Sequence, residues 1–308
     1  MGYSARYHAA SLAAVFLALA VGILIGVGFA SDLVSGTADD LEQSLGEDLD
    51  ETRARVDALE SELRGEREFE RAIYPAVVGR VLRGEQIALI GLGGLGPEVT
   101  GDIERALGPT GGDIGQVAVV AQPGDPEKLS RLTEGRHARE VQRGDPVAIG
   151  ELATDAARVL GRGGPRFDEL RGTLLGRYSG QAEGTDAVIL VRDRPEGLED
   201  EEAAVTDALE DGLLSGFRSL GIPVVGVERS DADPSSVGFY ADRGLSTVDS
   251  VDRVSGQVAL VYALCGASGH FGIKESADAL LPELGGQRCS STSSPGLPSA
   301  GERSEQGE

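Results

Sequence analysis

The sequence has no tryptophan, one methionine, two cysteines and three histidines. Soft and borderline metals take their ligands from Cys, Met and His, so this is a poor inventory for a soft-metal site. Two cysteines, Cys265 and Cys289, do not make a disulfide framework. Bases are scarce as well. The 28 Lys and Arg face 51 Asp and Glu, leaving a formal net charge of −23. Phosphate binding needs clustered Lys and Arg, so nucleic acid is excluded as a partner. The same acidity keeps a domain soluble and disfavours approach to anionic lipid. No GxSxG, HExxH or CxxC occurs. The chain therefore reads as a non-enzyme, because paired carboxylates carry no signal in so acidic a composition.

Charge is missing altogether from one stretch, Ser11 to Ala30. At about 1.5 Å per residue, a helix of that length crosses a hydrocarbon core roughly 30 Å thick. A secretory signal would carry a shorter apolar region behind a more basic start, so an uncleaved anchor is expected. Arg6 precedes the span, and Asp32, Asp39 and Asp40 follow it. Basic residues stay cytoplasmic, which places the N-terminus inside and the bulk of the chain outside. Within the span Ala10, Ala14, Ala18, Gly22, Gly26 and Ala30 recur every fourth residue. Such a row lets two membrane helices pack closely.

Residues 33–75 read as a coiled-coil helix ended by Pro75. Leu45, Leu49, Thr52, Val56, Leu59 and Leu63 alternate four and three apart, and charges fill the other faces. That pattern predicts a parallel homodimer, with Thr52 as a weak point in the seam. Residues 84–284 read as an extracytoplasmic α/β domain with a mainly parallel sheet flanked by helices. Strands are expected at GEQIALIGLG, QVAVVAQPG, DAVILVRD and IPVVGVER. Helices are expected at GPEVTGDIERALG, at DPVAIGELATDAARVLG with Asp145 as cap, more weakly at RFDELRGTLLGRYSG, and from Glu199 to Leu220. VSGQVALVYALCG and KESADALLPEL read as closing helices, and residues 125–145 as a broken polar stretch. Residues 285–308, rich in Ser, Gly and Pro, are expected to be a disordered tail.

Two spots invite a ligand reading. Gly91, Gly93 and Gly96 follow the first strand and precede a helix, the context of a dinucleotide-binding turn. No acid stands at the end of the second strand to hold a ribose, so a plain glycine-rich turn is the competing reading. Cys265 and His270 lie five residues apart and could share a metal, but two ligands do not close a site. Otherwise Cys265 is a small core residue, Cys289 an incidental thiol, and His137 part of a solvated helix face.

The opening SARYHAASLAAVFLALAVGILIGVG and the block GLSTVDSVDRVSGQVALVYALCGASGHFGIKESADALLPEL at residues 244–284 together resemble the MctB family of actinobacterial envelope proteins. The order of span, coiled coil, α/β domain and block also resembles that family. The resemblance implies a role in copper transport and homeostasis, with copper as the only cofactor suggested and an outer-membrane location possible. It also implies a second envelope membrane protein as a coiled-coil partner in division control. A scaffold or regulator of the envelope machinery is the alternative function. The repeated alternating strands of a membrane barrel are not found in the sequence. The block's polar residues, Thr247, Asp249, Asp252, Gln257, Lys274 and Asp278, are the family-motif candidates; Asp249 and Asp252 precede a helix and could cap it.

Overall fold

A computed structural model describes residues 5–181 and 184–283, and for residues 5, 6 and 28–44 the backbone alone. The contacts divide it into two units, residues 1–69 and 70–308.

Helix α1, Ala5–Val78, supplies all of the first unit and enters the second. Its stretch Tyr7–Val27 is long and apolar enough to cross a membrane. Among the described residues no atom beyond the neighbouring helix backbone lies within 4 Å of where a Cβ on Gly22 or Gly26 would stand. Seam residues Leu45, Leu49, Val56, Leu59 and Leu63 are each about half exposed in the single chain. Pro75 does not end the helix, which continues to Val78. A proline forfeits one N–H bond and crowds the preceding turn, yet tertiary contacts hold the last turn in place. Tyr74 and Val78 are buried against the domain, and Tyr74 Oη donates to Ala106 O at 2.7 Å.

The second unit is a three-layer α/β sandwich. Its strands are β1 (Gln86–Leu92), β2 (Asp113–Val120), β3 (Leu175–Gly180), β4 (Ala187–Arg192), β5 (Val224–Glu228), β6 (Ser246–Asp249) and β7 (His270–Phe271). They form one sheet in the order β3-β2-β1-β4-β5-β6-β7, with only β3 antiparallel. The apolar runs of β1 and β4 are buried on both faces, as a parallel sheet covered by helices requires. One face packs α5 (Pro146–Arg162) and α7 (Asp200–Arg218); the other packs α2 (Pro97–Leu107) and α9 (Val254–Leu264), and the short α8 (Val237–Ala241) lies between β5 and β6 in the chain.

Capping sets the helix starts. Asp145 accepts the amides of Val147 and Ala148 with Pro146 in the first turn, as expected from sequence. A capping box between Glu199 and Glu202 opens α7, whose acidic first turn suits the helix dipole. Three expectations fail. Residues 125–145 hold two short helices, α3 (Pro126–Leu129) and α4 (Gly135–Gln142). The stretch read as one weak helix divides into α6 (Phe167–Thr173) and edge strand β3. KESADALLPEL is not helical over its described residues, Lys274 to Glu283: backbone groups there are spent on the sheet edge and on a buried carboxylate, which outweighs helix propensity.

Helices α5 and α7 meet through glycine. A Cβ on Gly212 would stand 2.3 Å from Gly150 O, and Thr154 Oγ1 already donates to Gly212 O at 3.1 Å. Gly212→Ala adds helix propensity of about 0.8–1 kcal/mol, but forces the helices apart. The expected net result is destabilisation of about 1–3 kcal/mol in a urea titration.

Candidate functional site

The glycine turn after β1 lies at the switch point of the sheet, where the chain order reverses between β1 and β4. Ligands of open α/β sheets bind at such crevices. Here the chain itself fills it. Gly93 has φ +88°, and a Cβ there would stand 2.2 Å from Asp193 O. A Cβ on Gly94 would stand 2.1 Å from Asp193 Oδ2. The close approach that a pyrophosphate needs is thus taken by a carboxylate, an anion that repels phosphate. Gln122, beyond β2 where a ribose-binding acid would stand, donates instead to the buried Glu210 at 3.0 Å. Arg192 meets that same carboxylate through Nε and Nη2 at 3.0 Å. Gly91 lies within β1, where a Cβ would stand 2.5 Å from Gly94 O, and Gly96 is the cap position of α2, so the plain turn is the reading this geometry favours.

Cys265 is disulfide-bonded, which removes it as a thiolate ligand. His270 Nδ1 lies 3.0 Å from Thr247 Oγ1 on the neighbouring strand. Cys289 lies outside the described residues, as does the stretch 285–308. His137 Nδ1 is 3.9 Å from Glu151 Oε2. It borders an open cleft of about 450 Å³ in which Arg131 and Arg166 both have glutamate partners. Among the described residues no three His, Cys, Asp or Glu side chains gather where they could hold a metal ion.

The block at 244–284 does converge. Glu228 ends β5 and Asp249 ends β6, so both carboxylates stand at the carboxyl edge of the sheet, and both are buried. The segment from Gly266 to Glu283 folds across them as a strap. Asp249 accepts the amides of Ile273 at 2.8 Å and Lys274 at 3.0 Å, and also the Ser250 hydroxyl. Lys274 Nζ reaches Glu228 at 2.5 Å and Ala232 O at 3.0 Å. Glu228 also accepts from Ser235 Oγ and from the Ser236 amide. Asp278 is hydrogen-bonded with the backbone of His270 in both directions. Of the six candidates two stay off the strap: Gln257, buried on α9, and Asp252, which binds Ser230.

Neither Asp249 nor Asp252 caps α9. The cap position is Arg253, without a side-chain bond. Asp252 instead accepts the Ser230 amide and hydroxyl, both at 2.7 Å. Burial raises its pKa, but the Ser230 bonds and the Arg229 charge bring it below the usual carboxylate value. A depressed folded pKa gives stability that is present above the unfolded value, near 3.9, and lost as pH falls through the folded one. Asp252→Asn is therefore expected to flatten the acid limb of the urea midpoint against pH below about 4.

Sequence reasoning missed Ser250. It is fully buried with φ +74°, in the turn from β6 to α9. A non-glycine residue is strained there, and such strain persists only where surrounding contacts hold it. Asp249 and the close-packed Gly256 supply those contacts. Glu228 was missed too, because it reads as the polar end of an apolar strand.

Fold and site together define a class: an N-terminal apolar helix leading to a parallel α/β domain whose carboxyl edge is closed by a polar strap. The family model for MctB, described as a copper transport outer membrane protein, matches residues 3–282, and the chain belongs to that family. The protein named copper transporter MctB in Mycobacterium leprae is 24% identical over 327 residues, covering 90% of this chain and 98% of that protein. Those of the same name in Mycobacterium tuberculosis and Mycobacterium bovis are 30% identical over 111 residues. That match spans 36% of this chain and 35% of theirs. The family's description is that of an outer membrane protein of copper transport, and this chain carries one helix, Tyr7–Val27, long and apolar enough to cross a membrane.

Proposed function

We propose that this chain serves copper transport as a single-pass, N-terminus-inside membrane protein whose extracytoplasmic domain works in a homodimer. The observation that carries the copper reading is the family match over residues 3–282. The half-exposed seam on α1 supports the dimer, because five regularly spaced apolar residues have no cover in one chain. Copper is the substrate here, and the inventory of one Met, three His and a disulfide-bonded Cys265 favours action through assembly over carriage on the domain's own side chains. A strain lacking the protein should gain copper content and copper sensitivity, with both restored by the intact gene. Unchanged copper content and tolerance would end this reading.

The same seam favours a second reading, a non-enzymatic coiled-coil scaffold or regulator of the envelope and division machinery. It predicts that cross-linking in membranes captures one specific envelope membrane protein along α1. A deletion phenotype in copper handling with no such partner would reject it.

A further inference from the structure

We infer that the cleft bordered by α4, α5 and α6 binds a small zwitterion with a branched apolar side chain, a free amino acid or a dipeptide. The cleft measures about 450 Å³, within the range of small-molecule sites. It shares no residue with the glycine turn or with the strap. Its floor is Leu132, Leu152, Ala156 and Leu170, which belong to the core packed against α5 and α7. An apolar group set on that floor leaves water, which favours binding.

The rim carries charges of both signs that do not satisfy one another. Arg131, in the helical turn Ser130–Leu132, has Glu127 at 3.8 Å as its partner among the described residues, and both side chains are largely exposed. Arg166 has Glu169 at 3.7 Å and donates to Leu132 O, which holds its guanidinium at the cleft. Both carboxylates lie beyond hydrogen-bond reach, and exposed pairs of this kind contribute little. The guanidiniums can therefore turn their N–H groups to a ligand carboxylate, which arginine binds through paired bonds. On the acidic side, Asp155 is held by Arg158 at 2.8 Å. Glu134 is not held. It precedes the first turn of α4 without a side-chain cap bond, and its carboxylate has no ion pair among the described residues. That carboxylate is placed to take a ligand ammonium. A ligand with one charge leaves half of this rim unused, and a neutral one leaves all of it. Binding there is independent of the copper reading.

The test is calorimetric titration of the full chain in detergent with leucyl-leucine, which should bind with a Kd at or below about 1 mM. Leucinamide, N-acetylleucine and N-acetylleucinamide keep the side chain and drop one charge or both. Each should bind at least about tenfold more weakly than the dipeptide. Arg131→Gln and Glu134→Gln should each weaken dipeptide binding at least about tenfold. Both side chains are exposed, so the thermal transition of the ligand-free protein should not move. The analogue series uses the unmodified protein, so it decides the ligand class even where a variant fails to fold. No binding of the dipeptide at about 10 mM, equal binding of N-acetylleucinamide, or unchanged affinity in either folded variant would overturn the inference.

Discussion

The doubly substituted protein Val56→Asp, Leu59→Asp is expected to sediment as a monomer in detergent, and the unmodified protein as a dimer. In a two-stranded seam the substitutions remove four apolar side chains, each contributing about 1.5–3 kcal/mol when buried. They also bring four carboxylates together in an acidic helix. Realising even a part of that loss, about 4 kcal/mol, weakens association roughly a thousandfold. The seam is under three heptads and therefore marginal alone. In the proposed dimer the membrane span, with Ala14, Ala18, Gly22 and Gly26 on one face, would hold two chains close and add to it. Residues 56 and 59 belong to the first unit, so the thermal transition of the α/β domain should not move. An unmodified protein that is monomeric at tens of micromolar, or a domain that unfolds with the substitution, would show that α1 does not pair this way.

Lys274→Met should cost about 3–5 kcal/mol of domain stability, because it leaves the buried Glu228 carboxylate without its cation. Methionine keeps most of the aliphatic stem, so lost packing is a minor part. Glu228→Gln in the same chain removes the stranded charge and should recover a large share, since replacing both partners of a buried pair is often near neutral. Urea titrations of the single and double variants measure the difference. Equal stability of Lys274→Met and the unmodified domain would mean that the pair does not hold the strap.

The sequence signals that were legible were those set by local chemistry. Apolar runs bounded by glycine or acids announced β1, β4 and β5, and Asp145-Pro146 announced the start of α5. The glycine turn was visible as a turn, but its occupant was not, because Asp193 lies about a hundred residues from Gly94. The same distance problem hid Glu228, whose partners Ser235, Ser236 and Lys274 arrive from two separate loops. β3 escaped notice because it is a glycine-containing edge strand with an exposed pattern, which has no apolar run to read. Asp249 looked like a helix cap because acids before a helix usually are; only the strap's amides reveal what it binds. Motif membership told which polar residues of the block belong together and left open what they do together.

The sheet order has a consequence for how the chain acquires its fold. β1 is an interior strand, between β2, which follows after one helix, and β4, a hundred residues downstream, where the Gln86 amide also meets Asp186. Non-local parallel pairing is slow, since the loop must close before contacts reward it. During synthesis the apolar face of β1 toward β4 therefore waits, unpaired, until residues 187–192 have emerged. A chain truncated before Ala187 exposes a run of Ile, Ala, Leu and Ile with an open strand edge, the surface on which one nascent chain recruits another.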